Sequence, residues 1–139
     1  MRFMIIRKAD PDTEAGVMPT QALVDAMMRY NQELIDAGVM RGGEGLQPSV
    51  KGARIRFSGG TPAVVDGPFA EAKELIAGYT IIDVAGREEA IAWARRWPVE
   101  DGGGEVELEI RQAYTADDFG EFAPDLREME ERMRAAGQP

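Results

Sequence analysis

The chain has 139 residues, 44% of them hydrophobic and 29% charged, which predicts one soluble globular domain. Its net charge of −9 argues against nucleic acid and anionic membranes as partners, because both attract a surplus of Lys and Arg. It contains neither cysteine nor histidine, so thiolate chemistry, disulfides and any imidazole base or ligand are excluded. An enzyme built from this chain would need carboxylates, Tyr, Lys, Arg or a borrowed cofactor, and no cofactor fingerprint is present.

The N-terminus predicts a first strand at residues 3–6. This run is apolar on both faces, which is typical of a central strand covered on both sides. With only four apolar residues before charge returns, it is too short for a signal peptide or a membrane span, so we expect a cytoplasmic protein. A loop rich in Asp, Pro and Gly is expected over residues 9–18.

A first long helix is predicted to open at Pro19 and Thr20 and to end before Gly38, which has the position of a C′ glycine. Its apolar positions recur at helical spacing: Leu23, Met27, Tyr30 and Leu34. Residues 42–48 are then expected to be irregular or a very short strand.

A hairpin is predicted from residues 54–57 and 63–65, joined by a turn at Gly59 and Gly60. A long strand follows over residues 75–84, interrupted by Gly78. A second helix begins at residues 86–89 and is stopped by Pro98.

The last third of the chain predicts a strand and a helix. Residues 105–111 alternate apolar and charged side chains, as in a strand with one buried and one solvated face. Residues 124–136 form an amphipathic helix with Leu126, Met129 and Met133 on one stripe. Such a short helix is marginal alone and must dock on its own subunit or on a partner; both alternatives stay open.

The predicted order is strand, helix, hairpin, strand, helix, strand, which is the ferredoxin-like α+β pattern with an elaborated middle. Two helices would cover one sheet face, and a second subunit is the economical cover for the other. We divide the chain into a domain over residues 1–120 and a C-terminal helical extension over residues 121–139.

Residues 66–74, the signature segment, are the most informative part of the chain: Asp66-Gly67-Pro68-Phe69-Ala70-Glu71-Ala72-Lys73-Glu74. A structural interpretation assigns positive φ to Gly67, a fixed φ to Pro68, an Asx turn to the Asp66 carboxylate and a core position to Phe69. A functional interpretation places the segment along a cleft, because a turn alone does not need its charged tail.

The signature segment, its continuation through Tyr79 and the N-terminal strand resemble the YCII-related superfamily, in the branch named for its Asp-Gly-Pro-Phe (DGPF) motif. The resemblance covers residues 1 to about 120 and implies a dimeric α+β barrel, in which two ferredoxin-like subunits pack their sheets face to face. Relatives elsewhere in the superfamily use a His-Asp pair, which this histidine-free chain cannot supply. Members of the branch are often encoded beside alternative sigma factors, which implies a regulatory setting.

The candidate site centres on Asp66, as an acid/base or a ligand anchor. Tyr30 is expected to be a core residue, with a cleft position beside Glu44 as the alternative. Around Asp66 the predicted cleft residues are Gly67, Pro68, Phe69, Glu71, Lys73, Glu74, Tyr30, Glu44 and Tyr79. Lys73, Glu71 and Glu74 are either a proton-transfer cluster or, as we favour, a solvated set of charges.

Two further motifs are weaker. Residues 10–14 space three carboxylates two apart but lack the glycine and the distal Glu of a calcium loop, so no metal site is predicted. Residues 42–45 are glycine-rich without the Lys-Ser/Thr of a phosphate-binding loop. Trp93 and Trp97 are interpreted as a packing pair or as interface anchors, with Arg95 and Arg96 solvated.

The leading functional hypothesis is a homodimeric accessory protein that binds a small polar or aromatic ligand or has a regulatory role. The alternative is a histidine-free isomerase or lyase with Asp66 as the base and Lys73 or Tyr79 stabilising negative charge. A third hypothesis is a regulatory protein that docks another protein through the C-terminal helix.

Overall fold

A computed structural model describes all residues 1–139 and has an α+β architecture, which confirms the predicted class. One sheet is four-stranded and antiparallel throughout, with the order β2-β5-β1-β6; β3 and β4 form a separate hairpin. The strands are β1 (Arg2–Lys8), β2 (Met40–Gly45), β3 (Ala53–Ser58), β4 (Thr61–Asp66), β5 (Ile76–Asp83) and β6 (Leu108–Gln112). The helices are α1 (Pro11–Glu14), α2 (Gln21–Asp36), α3 (Arg87–Ala94) and α4 (Ala123–Ala135).

Strand β1 lies in the middle of the sheet, and its two faces differ. Phe3, Ile5 and Arg7 alternate inward and are buried, whereas Met4 and Ile6 on the other face are only partly covered. The predicted central strand is therefore confirmed, but its coverage is unequal. We call the side of Met4 and Ile6 the open face.

Helix α2 covers the inward face as the sequence predicts. The Thr20 side chain accepts a hydrogen bond from the Leu23 amide and caps the helix, and Gly38 has a positive φ of 74° just beyond it. Tyr30 and Leu34 are buried on its inward stripe. Helix α3 adds Ala90 and Ala94 to the same apolar core.

The predicted loop over residues 9–18 contains the short helix α1, so that prediction is wrong in part. Asp10 caps this helix: its carboxylate accepts a hydrogen bond from the Thr13 amide, and the Thr13 hydroxyl accepts one from the Asp10 amide. Pro11 at the first helical position favours the same start.

Three predicted boundaries shift. Strand β5 continues through Gly78, where the bare Cα admits the neighbouring Glu44 carbonyl oxygen, which would lie 3.0 Å from an added Cβ; its pairing with β1 shifts register between Gly78 and Ile76. Helix α3 ends at Ala94, before Pro98, and Trp97 lies in the turn that follows. Strand β6 begins at Leu108, later than the alternating pattern predicts.

The hairpin prediction is confirmed, with the tight turn at Gly59 and Gly60, where φ is 57° and 81°. Every residue of β3 and β4 is exposed. Both strands therefore stand clear of the core.

Helix α4 is confirmed within one residue of its predicted start, but its contact stripe is not the predicted one. Ala123 is buried and Leu126 and Glu130 are half-buried, whereas Met129 and Met133 remain 47% and 44% exposed. The segment after the helix returns to the open face, where Pro139 lies 3.0 Å from the position of a Cβ on Gly42. The extension thus packs on its own chain, and none of the helices is long and apolar enough to cross a membrane.

Candidate functional site

The signature segment joins the exposed hairpin to the central sheet. It begins at Asp66, the last residue of β4, and leads into β5 at Ile76. Its middle is tied to two distant parts of the chain through Ser49. The Ser49 hydroxyl accepts a hydrogen bond from the Phe69 amide at 3.0 Å and donates one to the Glu14 carboxylate at 2.5 Å.

Glu14 completes this anchor, because its carboxylate also accepts a hydrogen bond from the Ser49 amide at 3.1 Å. In the sequence, residues 10–14 resemble only an incomplete cation-binding loop, so the hydrogen bonds of Glu14 with Ser49 could not be predicted from it. We call Glu14, Ser49 and the Phe69 amide the signature anchor. Asp10 therefore caps helix α1, and Glu14 belongs to the signature anchor.

The prediction for Gly67 is right about the residue type and wrong about the reason. Gly67 is not among the glycines with positive φ. It is needed because a Cβ at this position would lie 1.8 Å from the Ser49 carbonyl oxygen, far inside contact distance. The Gly67 amide also donates to the Gly52 carbonyl at 3.0 Å, and its peptide bond to Pro68 is cis.

Phe69 does not occupy the core as predicted. Its side chain is half-buried, and the Arg54 guanidinium lies over the ring, 3.9 Å from the centroid. This cation–π contact ties the hairpin base to the signature segment. Phe69 thus contacts a charged side chain of the hairpin and not the apolar core beneath the sheet.

The Asx turn predicted for Asp66 is absent. Its carboxylate is exposed and forms neither a hydrogen bond nor an ion pair with any residue of the chain, all of which is described. Opposite it in the ladder stands Ala53. Asp66 therefore has no structural partner, and its proposed chemical role stays a prediction.

The charged tail of the signature segment forms a single 3₁₀ turn over Ala72–Glu74. Glu71, Lys73 and Glu74 are exposed, and Lys73 has no ion pair with either carboxylate. Their arrangement agrees with a solvated set of charges. Pro68 is likewise exposed.

The three remaining candidate residues lie apart from the signature segment. Tyr30 is 3% exposed under the inward face, where its hydroxyl donates to the Trp93 carbonyl at 2.8 Å. Burial raises the pKa of Tyr30 to about 12. Glu44 is opposite Tyr79, whose neighbours Gly78 and Thr80 point inward, so both lie on the open face. The alternative that joined Tyr30 to Glu44 in one cleft is therefore wrong.

A cavity of about 260 Å³ lies beside the signature anchor. Thr13 and Pro48, the chain neighbours of Glu14 and Ser49, are in its wall, and Ala77 of β5 closes another side. Val17 and Leu46 provide apolar surface. No lining residue is ionisable. A second groove of about 360 Å³ lies between α3 and β6, and neither this groove nor the cavity is lined by a residue of the signature segment itself.

Sequence reasoning missed a buried ion-pair network at the C-terminal end of β1, around Arg7. The Arg7 guanidinium donates to both oxygens of the Asp101 carboxylate at 2.7 and 3.0 Å and to Asp10 at 2.9 Å. Trp97 donates to Asp101 from its indole nitrogen at 2.9 Å. The one available signal was position: Arg7 follows Phe3 and Ile5 at the period of two that marks the inward face.

The charges of this network are set by their partners. Burial works to raise the pKa of Asp101, but the hydrogen bonds from Arg7 and Trp97 outweigh it and hold that pKa below its usual range. The hydrogen bond with Asp101 likewise raises the pKa of Arg7. Every donor is matched, and no buried side-chain polar atom lacks a partner. The network is built for stability.

Trp93 and Trp97 both pack against the core, as the packing interpretation predicts, but their rings have different partners. Trp97 meets Tyr30 edge to face at 5.5 Å between ring centroids. Trp93 lies beneath the Arg96 guanidinium, which also pairs with Glu33. Arg96 is therefore engaged rather than simply solvated.

The family of the chain follows from comparison with known proteins. A family model described as YCII-related domain matches residues 1–113, most of the α+β domain and all of the signature segment. The chain belongs to the YCII-related family, as its signature predicts.

Two individual proteins are also similar to it. An uncharacterized protein of Rhizobium meliloti (strain 1021) is 39% identical over 64 residues, 46% of this chain and 52% of that protein; the chain thus matches about half the length of this curated relative. A solved structure from Burkholderia phenoliruptrix AC1100, 5-chloro-2-hydroxyhydroquinone dehydrochlorinase in complex with 2,5-dihydroxybenzoquinone, is 15% identical. Its alignment covers 83% of this chain and 95% of that chain, with a TM-score of 0.43.

Proposed function

We propose that this chain is a cytoplasmic member of the DGPF branch and that it forms a homodimer that binds a small uncharged ligand beside the signature segment. The observation that carries the proposal is the cavity of about 260 Å³ bordered by the neighbours of Glu14 and Ser49. The anchor that fixes the signature segment fixes this wall as well. The cavity is open to solvent, with Val17, Met18 and Leu46 59%, 81% and 43% exposed, and its volume is enough for a molecule of one ring.

The chemistry of the wall favours binding over catalysis. Thr13 and Gln47 can orient a polar group, and the rest of the lining is apolar or glycine. A general acid or base has to come within hydrogen-bond reach of its substrate, and this cavity offers no ionisable side chain. The ligand class that fits is a small, neutral, polar or aromatic molecule.

The dimeric part of the proposal rests on topology. The order β2-β5-β1-β6, with crossovers through α2 and α3, is the strand order of a ferredoxin-like sheet. Both helices cover the inward face, and the open face keeps Met4, Ile6 and Ile81 only partly covered. A second subunit on that face would give the dimeric α+β barrel that the DGPF resemblance implies.

A second candidate function is docking of another protein through α4. The specific observation is the pair Met129 and Met133, one turn apart and both about half exposed on a helix that otherwise presents charge. Flexible thioether side chains suit adaptable protein contacts. Met129→Ser/Met133→Ser should abolish partner capture without changing ligand binding, which separates this function from the first.

The enzymatic alternative has less support. Asp66 is free of structural partners, as a catalytic base could be, but it is exposed and no charged group flanks it within contact distance. Asp66→Asn tests it: an enzyme would keep its fold and lose turnover, whereas a binding protein would keep its ligand.

The ligand site is tested by saturation-transfer NMR with a set of uncharged single-ring fragments. Val17→Trp should fill the cavity, because Val17 lies in its wall with its side chain more than half exposed. The matched control is Val99→Trp, which is outside the cavity and still more exposed. Saturation lost only in Val17→Trp supports the site; equal saturation in both variants contradicts it.

A further inference from the structure

The β3–β4 hairpin, which we call the arm (residues 53–66), is unusual in having no contact with the core. All twelve of its strand residues are exposed. An isolated two-stranded hairpin is at best marginally stable in water, and a stable one needs a third strand, a helix or another surface on its apolar face. The exposed arm is therefore suited to contact with another surface.

One face of the arm is wholly apolar at its centre. The register pairs Ile55 with Val64 and Phe57 with Pro62, which puts these four side chains on the same side. Ile55 is 55% exposed, and Phe57 and Val64 are each 67% exposed. Contiguous apolar surface of this kind marks an interaction site.

The arm is also the basic part of an acidic molecule. The arm and its lead-in, residues 49–66, carry three basic residues, Lys51, Arg54 and Arg56, against one acidic residue, Asp66; this segment has a net charge of +2, and the rest of the −9 chain has −11. None of the three forms an ion pair within the chain. The arm therefore complements in charge the body of the very protein that carries it.

The base of the arm is held firmly, so its direction is set. The signature anchor fixes the start of the lead-in at Ser49, and the Gly67 amide bonds to Gly52 across the base. Arg54 lies over the Phe69 ring. These contacts present the arm outward instead of letting it fold back over its own sheet.

We propose that the arm docks on the acidic body of a second copy of this chain, with its Ile55–Phe57–Val64 face buried and Arg56, which projects from the opposite face, paired with carboxylates at the edge of that contact. This inference rests on the homodimer of the proposed function and adds a contact that the sheet face does not provide. Because a two-fold dimer uses the same contact twice, each arm would embrace the other subunit.

The test measures the dimer dissociation constant by native mass spectrometry over a dilution series of the full chain. Phe57→Ser/Val64→Ser should raise that constant at least tenfold, and Arg56→Glu should raise it and weaken its dependence on salt. The matched control Val99→Ser changes another exposed valine, 76% exposed, and should leave the constant unchanged. Circular dichroism melts check that each variant keeps its fold.

The outcomes separate the two proposals. A wild-type dimer that tolerates the arm substitutions overturns the docked arm and leaves the proposed homodimer intact. A wild-type monomer at all concentrations overturns both. If Val99→Ser weakens the dimer equally, the effect comes from general surface apolarity and the docking of the arm is overturned.

Discussion

The buried pair of Arg7 and Asp101 is the residue-scale feature on which the stability of the fold most depends. Their side chains are 9% and 10% exposed, and the pair connects β1 to the turn after α3. Asp101→Asn removes the more buried of the two carboxylates that compensate the Arg7 charge and leaves Asp10 as its ionic partner. It should therefore lower the free energy of unfolding by less than the ~3–5 kcal/mol of a fully uncompensated buried charge, measured by urea denaturation at neutral pH. The control Asp12→Asn changes an exposed carboxylate outside the network and should lower the free energy of unfolding far less.

Acid should act on the same carboxylates. The pKa values of Asp101 and Asp10 lie below the value of about 3.9 expected in the unfolded chain, so their ionised forms stabilise the fold above that pH. This stability is lost as the pH falls through the folded-state pKa values. Urea unfolding followed from about pH 5 down to about pH 2 should show a steeper decline in the wild type than in Asp101→Asn. Equal slopes would contradict the assignment.

Alkali should act through Tyr30. Its folded pKa of about 12 lies above the unfolded value of about 10, so its neutral form stabilises the fold below pH 10 and that stability is lost as the pH rises towards 12. Tyr30→Phe should remove this alkaline loss while costing the hydrogen bond to the Trp93 carbonyl. Absorbance at 295 nm reports tyrosine ionisation directly. Tyr114→Phe, at an exposed ring, is the control and should leave the late ionisation in place.

Gly67 gives the sharpest steric prediction. Gly67→Ala would force the new methyl group against the Ser49 carbonyl, so the hairpin base must shift and the signature anchor must open. We expect the loss of protection from hydrogen exchange at the Phe69 amide together with lower stability. Gly52→Ala, where the nearest atom would be at an ordinary 3.5 Å, should leave both unchanged. Retained protection at Phe69 in Gly67→Ala would show that the close approach is not needed.

At the scale of elements, α4 is the part most easily removed. Its inward stripe contributes only Ala123 as a buried residue, and its main neighbour is the 3₁₀ turn that precedes it. Deleting residues 125–139 should cost about 1–2 kcal/mol, the value of part of one buried leucine, and should leave a folded domain. The truncation also removes Pro139 from its contact with Gly42, so the open face becomes more exposed there, which a hydrophobic dye would detect. An unfolded truncation would contradict this account.

Most elements were predictable because their patterns are local. Thr20 and Gly38 bound α2 by capping chemistry, and the Gly59-Gly60 turn specifies its hairpin without help from the rest of the chain. The site was less predictable because its contacts join distant segments. Glu14, Ser49 and Phe69 are far apart in sequence, and no local pattern announces that one hydroxyl connects them.

The errors share that cause. Phe69 and Met129 are apolar residues that propensity assigns to buried positions, yet a guanidinium covers one and solvent reaches the other. Gly67 was correctly singled out, but the reason lies in a backbone atom eighteen residues away rather than in its own φ. Arg7 was missed although its period-two position places it on the inward face of β1, and its partner Asp101 could come only from the fold.

At the scale of the whole molecule, three surfaces remain to be covered by other molecules in our account. The cavity beside the signature anchor takes a small ligand, the open sheet face takes a second subunit, and the basic arm reaches that subunit's acidic body. The family membership fixes none of these. Each rests on its own residues, because Val17, Met4 and Phe57 lie in different surfaces, and the arm depends in addition on the dimer.

The central claim is a dimer that carries a small molecule beside its signature segment. Native mass spectrometry of the protein isolated gently from the cells that make it tests this most directly. We predict twice the mass of the 15.2 kDa chain plus one reproducible adduct for each subunit, absent in Val17→Trp and retained in Val99→Trp. A monomer, or a dimer whose adduct persists in Val17→Trp, would contradict the account.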